Sequence, residues 1–263
     1  MQTTVRQRRS WHPGRLLQHY VLYAPRRRLV ALPTVSYVDF RLPVSTGEQI
    51  HGWYFAPPAP QAPVVIYCHG KAGNISCHLD LVDFLQGLGA GVLLWDYRGY
   101  GLSTGRPSQT ALFSDSTLIW AYLTQTQNLA PEQVVFWGHS LGAAVALELA
   151  LNHPQAGGLV LEGAFTALIA LARRRWFRVL PLKYLVRDPY DNLGRIGQLQ
   201  IPVALLHGIT DRVVPLAMGE ELFAQAPPPR QFHPLPTGHN RVWQTLGTHG
   251  VQQLLAWLSL TAQ

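Results

Sequence analysis

The chain is short of several things. It has only two cysteines in 263 residues, too few to staple a domain of this size, and Cys68 and Cys77 are not at metal-ligand spacing. Charged residues make up just 13%, while 48% are hydrophobic, a balance that excludes a disordered chain or an acidic tail. No apolar run approaches the roughly eighteen residues of a membrane-spanning helix. The basic N-terminus offers only the stretch LLQHYVLYA, interrupted by Gln18 and His19, and no small-residue cleavage site follows it. Internal repeats and low-complexity linkers are also missing. These absences predict a soluble, cytoplasmic protein in which Cys68, inside the apolar run VVIYC, is a buried and reduced thiol.

Acidic residues are outnumbered, 14 against 21 Lys and Arg, for a net charge of +7. Much of the excess lies in two blocks: Arg6, Arg8 and Arg9 with Arg26, Arg27 and Arg28, and Arg173, Arg174 and Arg175 with Arg178. Neither block has the aromatic interleaving or the motif of a nucleic-acid reader, so no nucleic-acid partner is expected. Such a patch is either solvated or in peripheral contact with an anionic membrane surface, with the neighbouring Leu, Trp and Phe residues alongside it. No obligate protein partner is evident.

What the sequence does have is alternation. VSYVDFRLP and QIHGWYFAP read as two strands of an antiparallel hairpin joined through VSTGE. Five short apolar runs follow, VVIYC, GVLLWD, VVFW, LVLEG and VALLHG, each suited to a strand buried on both faces. Helical patterns occupy residues 76–88, 108–126, 141–151, 216–225 and 241–258. The fold class is therefore α/β, a mostly parallel central sheet with helices on both faces. A chain of this length fits one domain, residues 35–263, after a basic segment 1–34. The irregular stretch 165–198 is longer than an ordinary crossover and reads as a small helical lid at one edge of the sheet.

One hydrophobic run stops abruptly at Gly138-His139-Ser140-Leu141-Gly142 and resumes as an alanine-rich helix pattern. A serine between two glycines, after a strand and before a helix, is the context of a nucleophile elbow. The glycines are needed where strand and helix backbones approach too closely for a Cβ. The bland alternative is a packing turn with an incidental serine. A serine hydroxyl is a poor nucleophile, so it needs a base and an acid to orient that base. His239, before the last helix, is the base candidate, and Asp211 in HGITDRVVP is the acid candidate. Glu162 is a rival because it ends the strand LVLEG, where it otherwise serves local hydrogen bonding near the lid. Asp188 and Asp191 are weaker rivals, lying in the irregular stretch. Of the eleven histidines, His69, His139 and His207 read as hydrogen-bonding or packing residues, and His12, His19, His153 and His249 as surface or cap residues. Oxyanion donors are expected at the backbone N–H groups of Leu141 and Lys71. The segment DYRGYGLSTGRPS, with Asp96, Arg98, Tyr100 and Ser103, reads as support for the oxyanion loop, held by an Asp96–Arg98 or an Arg98–backbone contact.

Taken together, YCHGKAGN, LLWDYRGYGLSTGRPS, GHSLGAAVALELA, HGITDRVVP and TGHN resemble the α/β-hydrolase superfamily. More narrowly they resemble its Bem46-like group, with the ABHD13 and ABHD17 types of serine hydrolase. The resemblance runs from about residue 35 to the C-terminus. It implies Ser140 as nucleophile, Asp211 as acid, His239 as base, and Leu141 and Lys71 as oxyanion donors, with no cofactor and no metal. The substrate it implies is a small acyl ester or thioester. Lys71 stands where the group usually has asparagine, and Arg241 where aspartate is frequent; both shifts make the rim more basic. Several relatives have an N-terminal membrane helix that this sequence does not match, so their location is not expected to carry over. A peptidase of the same fold and a non-catalytic binding protein on a hydrolase scaffold remain the alternatives.

Overall fold

The computed structural model describes residues 22–45, 47–175 and 188–261. Most of the basic segment 1–34, Arg178 and the centre of the expected lid lie outside the described residues, as do His12 and His19.

The described chain opens with a two-residue strand β1 (Ala24–Pro25), then the hairpin β2 (Val38–Pro43) and β3 (Gln49–Phe55), paired antiparallel as the alternating pattern required. β4 (Val64–Cys68) is buried at all five positions, which is why it reads as a continuous apolar run. A short strand β5 (Ala72–Gly73) and a 3₁₀ turn at Ile75–Cys77 precede helix α1 (Leu79–Gly87). The helix expected at 76–88 thus starts later. Asn74 caps the 3₁₀ turn first, its Oδ1 accepting from the Ser76 N–H at 3.0 Å.

Strand β6 (Gly91–Trp95) leads to α2 (Gln109–Ala121), whose cap Ser108 accepts from the Ala111 N–H at 3.1 Å. β7 (Val134–His139), α3 (Leu141–Asn152), β8 (Gly158–Glu162), α4 (Leu168–Arg175) and the single turn α5 (Leu193–Ile196) follow. The domain closes with β9 (Val203–Gly208), α6 (Leu216–Gln225), β10 (Arg230–Leu235) and α7 (Val242–Thr261), the last interrupted at Gly247, where φ is 73°.

Eight strands form one sheet in the order β10-β9-β8-β7-β4-β6-β3-β2. β3 pairs antiparallel with both β2 and β6, and every other pairing is parallel. On one face, α1 and α7 pack Leu81, Leu85, Leu254 and Leu258 against Val65, Val135 and Val160. On the other, α2, α3 and α6 pack Leu112, Val145 and Met218 against Val64, Ile66 and Phe136. Because β4 and β6 to β10 run parallel, their carboxyl ends share one edge, the place where loops of such sheets gather side chains. Among the described residues no helix is long and apolar enough to cross a membrane. Both cysteines are free, with Cys68 buried and Cys77 exposed.

Candidate active site

Ser140 is the single residue between β7 and α3, held at φ 54° and ψ −112°. A non-glycine residue there is strained by about 1–3 kcal/mol and persists only when its surroundings fix it. The fixing is visible. The Ser140 N–H donates to the Glu162 carbonyl at 2.9 Å. A Cβ on Gly142 would lie 1.8 Å from the Cys68 carbonyl oxygen, and one on Gly138 would lie 2.2 Å from that of Gly142. Both flanking glycines are therefore demanded by backbone contact, and Ala143 and Ala144 are buried behind them.

Neighbouring strands β9 and β10 deliver the two partners. Asp211 Oδ1 accepts the N–H groups of Val213 at 2.7 Å and Val214 at 2.9 Å, which leaves Oδ2 facing His239 Nδ1 at 2.6 Å. A carboxylate accepts, so Nδ1 carries the proton and Nε2 is left with its lone pair. Burial pushes the His239 pKa down, outweighing the pull of Asp211 upward, and nearby His139 lowers it further. Burial raises that of Asp211, but His239 and the two backbone N–H groups together bring it below the ordinary carboxylate value. The His239 loop is tied down as well: His139 Nε2 donates to the His239 carbonyl at 3.0 Å. Gly163, at φ 56°, lets the ring approach so closely that a Cβ would lie 3.1 Å from it. The hydrogen-bonding roles expected of His69, His139 and His207 appear as contacts to Gly70, His239 and Val214 carbonyls. His153 caps α3 and stacks on Trp120, with centroids 4.2 Å apart.

The rival carboxylates have other partners. Glu162 is fully buried, accepts from Trp137 Nε1–H at 3.1 Å and from the N–H groups of Val242 and Trp243, and is pushed up in pKa chiefly by that burial. These are the local hydrogen bonds expected of it, and they pin the start of α7 to the sheet. Asp188 accepts from Tyr23, and Asp191 from the Gly194 N–H.

Leu141 is the first residue of α3, where the helix provides its N–H with no acceptor. Lys71 lies on the loop after β4, its side chain exposed. The DYRGYG segment supports that loop, but not by the contact expected. Arg98 pairs in a two-bond fork with Asp115, at 2.8 and 2.6 Å, because the Asp96 carboxylate is turned inward, where its Oδ1 accepts the Ile75 N–H at 3.0 Å. Tyr97 and Tyr100 donate their hydroxyls to the His69 and Lys71 carbonyls at 2.7 and 2.8 Å.

Ser140, Leu141, Lys71 and His239 line one cavity of about 670 Å³. Its apolar wall comes from Leu22, Phe165, Leu168, Leu171, Val213 and Trp243, and Cys77, His78 and Asp80 also border it. Burial, reinforced by His69 and His139, drives the His78 pKa down to about 3. No group of three or more His, Cys, Asp or Glu among the described residues is arranged to hold a metal ion.

Sequence reasoning passed over Gly163 and Leu22. A signal existed for the first: glycine at or just past a strand end also occurs at Gly70 and Gly208, where chain crosses the same edge. For Leu22 there was none.

Residues 59–187 match the family described as serine aminopeptidase, S33. An uncharacterized protein of Mycobacterium tuberculosis is 35% identical over 234 residues, covering 83% of this chain and 82% of its own. The α/β hydrolase domain-containing protein WAV2 of Arabidopsis thaliana is 30% identical over 230 residues, covering 80% of this chain and 75% of its own. The chain belongs to the α/β-hydrolase superfamily. Among solved structures, an esterase from Pyrococcus furiosus superposes with a TM-score of 0.73 over 92% of this α/β-hydrolase and 99% of that chain, at 18% identity. A monoacylglycerol lipase from Paleococcus ferrophilus gives 0.60 over 81% of this chain and 99% of that one, at 19% identity. At such identities the likeness is one of fold.

Proposed function

We propose that this α/β-hydrolase cleaves carboxylic esters or thioesters through an acyl-enzyme on Ser140. The observation that carries the reading is the 2.6 Å contact of Asp211 with His239 Nδ1, with Ser140 on a strained elbow in the same cavity. His239 Nε2 takes the hydroxyl proton as Ser140 Oγ bonds to the acyl carbon, and returns it to the departing alcohol or thiol. Water then adds to the acyl-enzyme by the same route, and the acid leaves with Ser140 restored. The oxyanion of each tetrahedral intermediate accepts from the Leu141 and Lys71 backbone N–H groups. The apolar wall suits the acyl chain, and the esterase and lipase likenesses of fold agree with it.

An aminopeptidase activity is the second reading, favoured by the matched family's description and by Asp80 at the cavity, a carboxylate that could face a substrate ammonium. The described start of the expected lid, through Phe165, Leu168 and Leu171, covers the candidate site in either case. Exposed Arg26, Arg27 and Arg28 beside exposed Val30 and Leu32 support peripheral contact with anionic membrane.

The deciding experiment is fluorophosphonate labelling of wild type and Ser140→Ala, followed by a panel of acyl esters, thioesters and aminoacyl amides. Wild type should label and turn over esters or thioesters fastest. Ser140→Ala should lose labelling and about 10⁴-fold or more in turnover. A Ser140→Ala variant within tenfold of wild type would sink the proposal, and a preference for aminoacyl amides would install the second reading.

A further inference from the structure

Residues 22–30 precede the part of the chain that matches the family, yet they are built into the candidate site. Strand β1 pairs parallel with β5 on the loop after β4, setting Ala24 opposite Ala72 and Pro25 opposite Gly73. The Ala24 N–H donates to the Lys71 carbonyl at 3.1 Å, and the Arg26 N–H to that of Gly73 at 3.2 Å. The loop reciprocates. Asn74, fully buried, donates its side-chain amide to the carbonyls of Arg26 and Arg28, both at 2.9 Å. The Val30 N–H donates to Ser76 Oγ at 2.8 Å, and the Gly101 N–H to the Arg26 carbonyl at 3.0 Å. Upstream, the buried Tyr23 hydroxyl meets that of Tyr190 at 2.6 Å and donates to Asp188 at 3.0 Å, while Leu22 forms part of the cavity wall.

The consequence follows from peptide planarity. In a trans peptide the C=O and the N–H point in opposite directions, so anchoring the carbonyl aims the N–H. The Gly70 carbonyl is held by His69 Nδ1 at 2.7 Å, which aims the Lys71 N–H. The Lys71 carbonyl is held from two sides, by Ala24 N–H and by Tyr100 O–H. With both peptide planes around Lys71 fixed, its backbone has no soft rotation left. A donor contributes to catalysis to the extent that it need not reorganise when charge develops.

We infer that the strap of residues 22–30 is a positioning element for the oxyanion loop, acting through Ala24 on Lys71 and through Asn74 on Arg26 and Arg28. This rests on the Ser140 acyl-enzyme reading above.

The test uses the full chain and two variants. Ala24→Pro deletes one main-chain donor at a position whose side chain is exposed, and Asn74→Ala deletes the amide that holds the strap. Fluorophosphonate titration counts competent Ser140 groups, so kcat is expressed per competent site, beside KM and thermal stability. We expect kcat per site to fall roughly 10- to 100-fold, part of what losing a whole oxyanion donor brings, with KM within about twofold. The rate of phosphonylation, which also develops an anionic oxygen, should fall in step. A lower melting temperature with kcat per site within about twofold of wild type would show the strap to be structural only and overturn the inference. Ala24→Pro keeps the test decisive should Asn74→Ala fail to fold. If wild type does not label at all, the Ser140 reading fails and this inference goes with it. Labelled enzyme indifferent to the strap removes this inference alone.

Discussion

At the scale of single residues, the site turns on which carboxylate addresses His239. Asp211 Oδ2 is in contact with its Nδ1, while both Glu162 and Asp211 Oδ1 are committed to backbone N–H groups. Asp211→Asn keeps the shape but offers an amide, which leaves His239 without the acceptor that fixes its tautomer. Turnover should drop by up to about 10⁴-fold. Glu162→Gln retains one acceptor oxygen and leaves the Asp211–His239 contact untouched, so its loss should be far smaller. A larger loss for Glu162→Gln, with both variants folded by circular dichroism, would move the acid one strand earlier. The pH profile provides a second check. His239 acts as a base only when neutral, so kcat/KM falls as pH drops through its pKa. Burial holds that pKa below the ordinary histidine value, so the acid limb of the wild-type profile should lie below about pH 6.5. A limb clearly above that value would mean that the pull of Asp211 outweighs burial.

At the scale of elements, legibility followed burial. Strands β4, β6, β7, β8 and β9 are buried at nearly every position and appeared as unbroken apolar runs. Strand β10, with sequence RQFHPL, is only half-buried and contains Pro234, as an edge strand tolerates, so composition gave it no outline. Helix α7 looked continuous because apolar spacing continues across Gly247; only the backbone turn there betrays the break. The elbow was legible because a close approach of strand and helix excludes every side chain but hydrogen. The strap was not, since from Ala24 to Val30 it is tied through its own main-chain N–H and C=O groups, which most residues can offer, and the side chains that meet them, Asn74 and Ser76, lie 46 to 48 residues further on. The elbow therefore predicts a steep contrast. Gly142→Ala places a carbon against the Cys68 backbone and should abolish soluble expression or fluorophosphonate labelling. Gly87→Ala, at the end of α1, meets nothing within 4 Å and should leave the melting temperature unchanged or raised. Normal labelling by Gly142→Ala would show that the elbow can open and that its packing is not required.

At the scale of the molecule, the net charge of +7 is unevenly spread. Arg26, Arg27 and Arg28 are exposed on the strap, and Arg173 is exposed on α4. Leu22 and Leu171 from the same two segments share the cavity wall, so both basic segments border one opening. If that surface meets membrane, each arginine near an anionic bilayer contributes about 1 kcal/mol, screened by salt. The protein should then sediment with vesicles containing phosphatidylserine at low salt, far less at high salt, and little with phosphatidylcholine alone. Absence of binding to the anionic vesicles at low salt would leave a solvated patch as the whole account.

The six apolar wall residues share a property that bears on how such a protein changes over generations. None of Leu22, Phe165, Leu168, Leu171, Val213 and Trp243 belongs to a strand of the central sheet. They sit on the strap, on loops and on the helices α4 and α7, whereas the groups that would perform the chemistry hang from the tips of β4, β7, β9 and β10. Inheritance can therefore act on the two separately. Replacements in the wall that keep its packing on the core redraw what fits without touching a strand of the sheet, and the strand tips that carry the candidate chemistry are passed on intact while the fit drifts.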